Sequence, residues 1–250
     1  MVKREFIIDD YCENLIPKVN PNLGFNKNGI ILMLQYRINE MSIEVDSCPV
    51  VKEMYKKVYG EGIPQCADTI LNALNPLKSF CIYRLKKIGG ECYPFERRGN
   101  VWSLRTDLLE LIVKKLDDIF TQEYRELYEL FDVFSNLAYS FANMMPAPAG
   151  YNATGFKGTN TFGKGSYHDN NDYPYFYLKN LEMGMDNEMH QWLVSNMDKY
   201  YLAEAYNLEP PFSKPNEYYT DEKKEDLIIY LRNAIQIIRN RCKWLEKKQV

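Results

Sequence analysis

The 250-residue chain has little histidine, no close pair of cysteines and no long apolar run. Its two histidines, His168 and His190, confine any histidine chemistry to two positions. The six cysteines form no Cys-x-x-Cys pair, so we expect no structural zinc site and predict no metal site. No stretch approaches the roughly 18 apolar residues that a membrane span needs. These absences predict a soluble, cytoplasmic protein with reduced thiols and no membrane partner.

Neither sign of charge is in large excess, because the chain has 31 basic and 34 acidic residues and a net charge of −3. This balance predicts no general attraction to nucleic acid. From Arg232 to Val250, however, six cations accompany one acid, Glu246. Such a run suits a basic face for nucleic acid, but cations at a helix carboxyl end also complement the helix dipole. Nucleic acid is therefore a possible partner and not the favoured one.

The most unusual absence is that of acidic residues between Val133 and His168. At 34 acidic residues in 250, a stretch of this length would carry about five. The same stretch holds five of the 13 glycines, at positions 150, 155, 158, 163 and 165. Because dense glycine costs chain entropy, such a segment is typical of a loop that contacts something. The sequence therefore predicts a long glycine-rich recognition loop at residues 146–172.

Apolar residues recur at three- and four-residue spacing in four segments, which predicts four amphipathic helices. The segments cover residues 108–120, 124–141, 189–205 and 220–245. Pro146 and Pro148 are expected to end the second helix, because proline cannot continue one. Thr220 is expected to cap the fourth, with Asp221 and Glu222 in its first turn.

The first hundred residues have a less regular pattern. Helices are predicted for Val50–Tyr59 and Asp68–Leu74, whereas the apolar run Gly29–Ile38 fits a helix or a strand equally well. A β-hairpin is predicted for Phe80–Phe95, because the pair Gly89-Gly90 lies between two apolar segments. A second turn is predicted at Arg97-Arg98-Gly99-Asn100, before Trp102.

The predicted fold class is therefore mainly α, as a single helical domain over residues 1–250 with a small β-hairpin element and a long central glycine-rich loop. Residues 1–100 form its mixed α/β part, and residues 101–250 its helical part.

Two kinds of ligand fit the loop, an anion and single-stranded nucleic acid, the latter because aromatic residues alternate with cations along it. The stretch from Gly158 to Lys164 matches the start of a phosphate-binding G-x-x-x-x-G-K motif, but Gly165 stands where serine or threonine should follow, and the flanks are not a strand and a helix. A looser anion site in which the loop amides act with Lys157 and Lys164 remains open. The alternative is a purely structural, ordered loop whose aromatic residues pack against the core.

Beyond the glycines, the run His168-Asp169-Asn170-Asn171-Asp172 brings one histidine close to two carboxylates. His168, Asp169 and Asp172 are therefore candidate catalytic residues for proton transfer. The alternative is a polar turn in which the aspartate and asparagine side chains cap and bend the backbone.

Three fragments resemble an uncharacterised family of bacterial, mostly Gram-positive, proteins. They are the stretch from Ala67 to Asn72, the helix exit Ala142-Asn143-Met144-Met145-Pro146-Ala147-Pro148, and Tyr151-Asn152, followed at a distance by Asp172. The first fragment has one residue more than the Asp-Thr-x-Asn spacing of the family. The resemblance implies a bacterial origin and a polar site framed by helices, and it implies no activity. If it holds, the side chains of Asp68, Asn72, Asn143, Asn152 and Asp172 could converge.

These observations predict a bacterial binding or interaction protein whose recognition loop is 146–172. Its ligand-binding candidates are Asp68, Asn72, Asn143, Asn152, Lys157, Gly158 and Lys164. The alternative is an enzyme acting on nucleotides or nucleic acid at residues 150–172, and a role in phage defence or as a toxin rests on analogy alone. The sequence determines neither the ligand or protein partner, nor a cofactor, nor the oligomeric state.

Overall fold

The computed structural model describes part of the chain, and that part is mainly α-helical, as predicted. The described residues are 5–7, 16–18, 29–31, 34, 49–63, 66–89, 97–98, 101–102, 106–138, 140–147, 188–211 and 218–248. The helices are α1 (Pro49–Tyr59), α2 (Leu74–Lys87), α3 (Thr106–Lys114), α4 (Leu116–Ile119), α5 (Arg125–Leu137), α6 (Glu188–Asn196), α7 (Ala203–Tyr206) and α8 (Lys224–Lys248). Short 3₁₀ turns cover Gln122–Tyr124, Phe141–Asn143 and Asp221–Lys223.

In the described part of the chain, six short strands form three antiparallel pairs. The strands are β1 (Glu5–Ile7), β2 (Ile16–Lys18), β3 (Cys66–Thr69), β4 (Arg97–Arg98), β5 (Val101–Trp102) and β6 (Met144–Ala147), paired as β1–β2, β3–β6 and β4–β5. The β4–β5 pair fits the turn predicted before Trp102. The predicted loop 146–172 is wrong at Pro146 and Ala147, which belong to β6; from residue 148 onward it lies outside the described residues and stays a prediction.

The core is organised around α8, which packs along α5. Both helices bury the stripe of apolar side chains that the spacing predicts, including Leu127, Phe131 and Phe134 on α5 and Leu227, Leu231, Ala234 and Ile238 on α8. Each fully buried Leu, Ile or Phe contributes about 1.5–3 kcal/mol through the area that it removes from water. Among the described helices, none is both long and apolar enough to cross a membrane.

The predicted hairpin at Phe80–Phe95 is wrong, because α2 runs through its first half. Gly89 has a φ of +76° and follows the helix end, where the Ile88 amide donates to the Arg84 carbonyl at 3.0 Å. Glycine is the usual residue for this left-handed position after a helix. The glycine pair therefore marks a helix end and not the tip of a hairpin.

The predicted helix at Asp68–Leu74 is also wrong. Residues up to Thr69 form β3, and the helix begins only at Leu74, where the Asn72 Oδ1 atom accepts the Leu74 amide at 2.8 Å. Pro76 then lies in the first turn of α2, where its missing amide hydrogen has no intrahelical partner to lose. Pairing with β6 thus overrides the local helical pattern.

The four predicted amphipathic helices are present, but three of them are interrupted or shorter. The first breaks at Lys115, between α3 and α4. The second ends at Leu137, and Pro146 lies within β6 instead of stopping a helix. The third breaks after Asn196 in a turn where Tyr201 has a φ of +53°. Thr220 stands at the N-terminal cap position with extended backbone, but its side chain makes no capping hydrogen bond.

Gly29 begins a helical stretch within the run that the sequence left open, since residues 29–31 and 34 are helical. Its amide donates to the Asp132 carboxylate on α5. A Cβ atom at this position would lie 2.5 Å from the Asp132 carbonyl oxygen. Only glycine allows the two backbones to approach so closely.

The cysteines differ from the prediction in one respect. Cys81 on α2 is a buried thiol that is not disulfide-bonded, as expected. Cys242 on α8 is disulfide-bonded, to a partner outside the described side chains. The prediction that all six cysteines are reduced thiols is therefore wrong for Cys242.

Candidate functional site

Strand β6 leads the chain into the predicted recognition loop. It pairs with β3 in a register that places Met144 opposite Thr69 and Met145 opposite Asp68. The side chains of Met144, Met145 and Ala147 are fully buried. The entrance to the loop is therefore fixed by a paired and buried strand.

Asn143 binds the backbone on both sides of this entrance. Its Oδ1 accepts the Leu71 amide at 3.0 Å, and its Nδ2 donates to the carbonyls of Leu71 at 2.9 Å and Ala138 at 2.8 Å. The side chain is 0% exposed. Because both amide hydrogens are engaged, Asn143 acts here on the protein's own backbone, where the sequence predicted a ligand.

Arg241 on α8 binds the same segment from the other side. Its Nη1 donates to the carbonyls of Ala142 and, at 3.3 Å, Met144. Its Nε and Nη2 donate to the Tyr200 carbonyl at 3.1 and 2.9 Å, and Nη2 also donates to the Tyr59 hydroxyl at 3.3 Å. The side chain is 1% exposed. All five guanidinium hydrogens are thus matched by neutral oxygen atoms.

We call Asn143 and Arg241, with the backbone atoms that they bind, the backbone clamp. Burying a guanidinium without a carboxylate is expensive unless every donor is satisfied, as it is here. The clamp therefore ties α8, the turn at Tyr200 and the segment after β3 to residues 142–144.

Aromatic rings pack against one another beside Arg241, which donates to the hydroxyl of one of them, Tyr59. The Tyr59 ring lies edge-on to Tyr200 with centroids 4.8 Å apart, and Phe141 lies 5.2 Å from Tyr55. Such rings exclude water, which strengthens the hydrogen bonds inside. Within the described part of the chain, the buried Tyr206 hydroxyl has no hydrogen-bond partner. Burial raises the pKa of Tyr206 well above its ordinary value, against the opposing charge of Arg241, so this hydroxyl stays neutral.

Two other predicted ligand-binding residues lie near the clamp. Asn72 holds the start of α2, and its carbonyl accepts the Tyr230 hydroxyl from α8 at 2.8 Å. Asp68 is placed by its backbone in β3, opposite Met145. Asn72 thus directly follows Leu71, whose backbone binds Asn143, while the convergence of the five side chains stays a prediction.

The remaining candidate residues lie outside the described part of the chain. They are Asn152, Lys157, Gly158, Lys164, His168, Asp169 and Asp172. Their proposed roles in catalysis and ligand binding stay predictions. Among the described residues, no group of three or more His, Cys, Asp or Glu side chains could hold a metal ion.

A second polar network lies at the surface, where α2 meets the start of α8. The Asp221 carboxylate accepts the Tyr83 hydroxyl at 2.6 Å and the Tyr124 hydroxyl at 2.9 Å. These three residues are called the surface cluster. The bond from Tyr83 lowers the pKa of Asp221, with a smaller contribution from Tyr124. Burial, followed by the bond to Asp221, raises the pKa of Tyr124 to about 12.

Cations cover the Tyr124 ring. The Arg84 guanidinium carbon lies 4.4 Å from its centroid and the Lys224 ammonium 5.0 Å. Both cations also bind backbone, through Arg84 Nε to the Ile119 carbonyl at 3.1 Å and Lys224 Nζ to the Glu123 carbonyl at 2.7 Å. A weakly basic carboxylate beside neutral phenols is poorly suited to proton transfer near pH 7. The surface cluster therefore acts as a fastening between α2 and α8.

Sequence reasoning missed Arg241 as a site residue, because it was counted with the basic run at the carboxyl end. Its spacing held a signal: Leu227, Ala234 and Arg241 recur every seven residues, so Arg241 continues the buried stripe of α8. A charged residue on an apolar stripe points to a buried polar network. The surface cluster had no such signal, because its members are far apart in sequence.

No family model, curated protein or solved structure matches the chain. The resemblance to a bacterial family is neither supported nor opposed by these comparisons and stays a prediction.

Proposed function

We propose that this protein is a binding or interaction protein whose recognition segment is the glycine-rich stretch 146–172. The observation that supports the proposal is the backbone clamp. Asn143 and Arg241 both bind backbone within residues 138–144, immediately before the segment begins. Residues that position a binding loop are commonly part of a rigid scaffold, and the clamp supplies one.

The clamp fixes the backbone of residues 142–144 with directional hydrogen bonds as well as filling the core. An apolar side chain at position 241 would continue the stripe of α8 without burying a charge. A buried polar network that is fully satisfied fixes one arrangement of the backbone, whereas apolar packing tolerates small shifts. A fixed loop entrance lowers the entropy that a loop loses when it binds, which raises affinity.

The proposal is tested by a thermal-shift screen of the full chain against nucleotides, divalent cations and small anions. A ligand at 100 times its Kd stabilises the folded state by about 2.7 kcal/mol, so a hit raises the melting temperature by several degrees. The variant Lys157→Ala/Lys164→Ala is expected to lose this shift. The matched variant Lys56→Ala/Lys57→Ala, which removes two exposed cations from α1, is expected to keep it. Equal shifts in both variants would place the ligand elsewhere and refute the proposed loop.

The alternative is an enzyme acting on nucleotides or nucleic acid through His168, Asp169 and Asp172. It is separated from pure binding by product analysis of every hit from the screen. Turnover that disappears in His168→Ala, while the thermal shift persists, would support the enzyme. No observation among the described residues favours it over the binding protein.

The cytoplasm is the location that we propose from the sequence, and the disulfide of Cys242 opposes it because such bonds are rare in the cytosol. Quenching thiol exchange in the native cell and then labelling the thiols distinguishes a reduced Cys242 from a disulfide-bonded one. A Cys242 that reacts without prior reduction supports the cytoplasm.

A further inference from the structure

Three cations form a straight ridge on the exposed side of α8. Arg239, Lys243 and Lys247 are all exposed and are spaced by four residues, so they lie on one face of the helix. At a rise of 1.5 Å per residue the ridge is about 12 Å long. We call these three residues the basic ridge.

Within the described part of the chain, no ion pair compensates the basic ridge; the neighbouring Glu204 carboxylate accepts hydrogen bonds from Asn240 at 2.9 Å and Tyr201 at 2.8 Å. Among the described residues no carboxylate forms an ion pair with it, and Glu246, the one acid on this part of the helix, makes none. The other arginines of the helix differ, since Arg232 pairs with Glu126 and Arg241 is buried in the backbone clamp.

The local physics of the helix does not explain the ridge. Like charges four residues apart destabilise a helix by a few tenths of a kcal/mol per pair. The helix dipole favours cations only within the last turn. That explanation covers Lys247, but Arg239 lies more than two turns before the helix end at Lys248. The ridge therefore costs stability to the isolated chain.

An aromatic surface adjoins the carboxyl end of the ridge. The ring of Trp244, which is half-buried, stacks on Tyr201 with centroids 5.5 Å apart and an interplanar angle of 26°. Trp244 lies three residues before Lys247, so the two are neighbours on the helix surface. The Lys248 ammonium lies 4.4 Å from the Trp244 centroid and adds a fourth cation.

We propose that the basic ridge and the adjoining Tyr201–Trp244 stack form a binding surface for single-stranded nucleic acid. A row of cations follows a phosphate backbone, and the partly exposed Tyr201 ring at the outer end of the stack lets a base continue the stacking. An acidic peptide fits less well. A peptide-binding groove needs exposed apolar side chains as anchors. In the described part of the chain the large exposed apolar side chains are Ile88, Val194, Tyr218 and Ile229. Only Ile229 lies on α8, and it precedes the basic ridge. This surface is separate from the proposed recognition segment 146–172.

The test is fluorescence anisotropy of a labelled 20-nucleotide oligothymidylate with the full chain. Binding in the micromolar range at 50 mM salt is expected. Three neutralised phosphates give a slope of about −2 in log K against log salt, so raising salt to 200 mM weakens binding about 20-fold. The variant Arg239→Gln/Lys243→Gln/Lys247→Gln should abolish most of the binding and the salt dependence. Its melting temperature should be unchanged or higher, because the repulsion along the ridge is removed.

The matched control is Lys56→Gln/Lys57→Gln/Lys114→Gln, which changes net charge equally at exposed positions on α1 and α3. It should bind the oligonucleotide like the wild type. Three results overturn the proposal: no binding by the wild type at 50 mM salt, equal weakening in both triple variants, or displacement of the oligonucleotide by polyglutamate of equal charge at equal concentration. The last result would assign the ridge to an acidic protein partner. The ridge variant should lose oligonucleotide binding but keep the ligand-induced rise in melting temperature that depends on Lys157 and Lys164. That outcome would show that the basic ridge and the recognition segment are two separate sites.

Discussion

The backbone clamp and the surface cluster both fasten α8 to the rest of the protein, but they do so with opposite chemistry. In the clamp, a buried cation and a buried amide bind neutral backbone oxygens and amides. In the surface cluster, an exposed carboxylate accepts two phenolic hydroxyls. The clamp carries its charge on the donor side and is fully buried, whereas the surface cluster carries its charge on the acceptor side, at an exposed Asp221 that also bonds the buried Tyr124.

The difference lies in what happens when a bond breaks. Water replaces a lost partner at the surface, so each bond there contributes about 1 kcal/mol or less. In the interior a lost donor leaves carbonyl oxygens with no partner, which costs the full desolvation penalty of each. The clamp should therefore dominate the stability of the loop entrance, while the surface cluster should respond to pH.

The largest expected effect is that of Arg241→Met. The substitution leaves the carbonyls of Tyr200, Ala142 and Met144 without the guanidinium, so the free energy of unfolding should fall by about 3 kcal/mol or more. The matched control is Arg239→Met, on the same helix but exposed, which should change stability by less than about 0.5 kcal/mol. Urea unfolding followed by circular dichroism measures both. A loss below 1 kcal/mol for Arg241→Met would show that the clamp is replaceable.

The substitution Asn143→Leu should have a smaller effect, of about 2 kcal/mol. It keeps the number and branching of the side-chain heavy atoms but removes the partners of the Leu71 amide and of the Leu71 and Ala138 carbonyls. The control Asn233→Leu alters an exposed asparagine on α8 and should be close to neutral. Equal urea midpoints for the two variants would contradict a structural role for Asn143.

The smallest effect is expected in the surface cluster and depends on pH. The pKa of Tyr124 is raised from 10.0 to about 12 in the folded state, so the folded state favours the neutral phenol. This contribution is complete below pH 10 and is lost as pH rises through about 12. Burial also raises the pKa of Tyr200 to about 12, so the wild type should lose thermal stability across this window.

The Tyr124→Phe variant should lose less stability than the wild type between pH 10 and 12, although it is slightly less stable at pH 7. Melting curves from pH 8 to 12 measure this, with the exposed Tyr218→Phe as control. If the Tyr124→Phe and wild-type curves run in parallel, Tyr124 does not contribute to the alkaline loss.

Sequence patterns predicted the elements whose burial is regular. The stripe of α8 and the helix at Pro49–Tyr59 follow from three- and four-residue spacing, because one face of each meets the core. The same reasoning went wrong at Asp68–Leu74, where pairing with β6 decided the structure, and at Phe80–Phe95, where a glycine ends a helix. For the candidate site, the sequence predicted Asn143 and Asn72 as ligand-binding residues. In the structure the Asn143 side chain binds the backbone of Leu71 and Ala138. The Asn72 side chain binds the Leu74 amide, and its carbonyl binds the Tyr230 hydroxyl.

By itself, the sequence determined that the protein is mainly helical and that an acid-free, glycine-rich stretch follows the second amphipathic segment. Periodicity and composition are properties of neighbouring residues, so they can be recognised from the sequence alone. Only the tertiary structure decided which of the many polar residues are buried together. Arg241 lies 97 residues from Met144 and 182 from Tyr59, and no local pattern connects groups at such separations. A buried cation needs all of its oxygen partners at once, and the packing of α8 is what brings them to it.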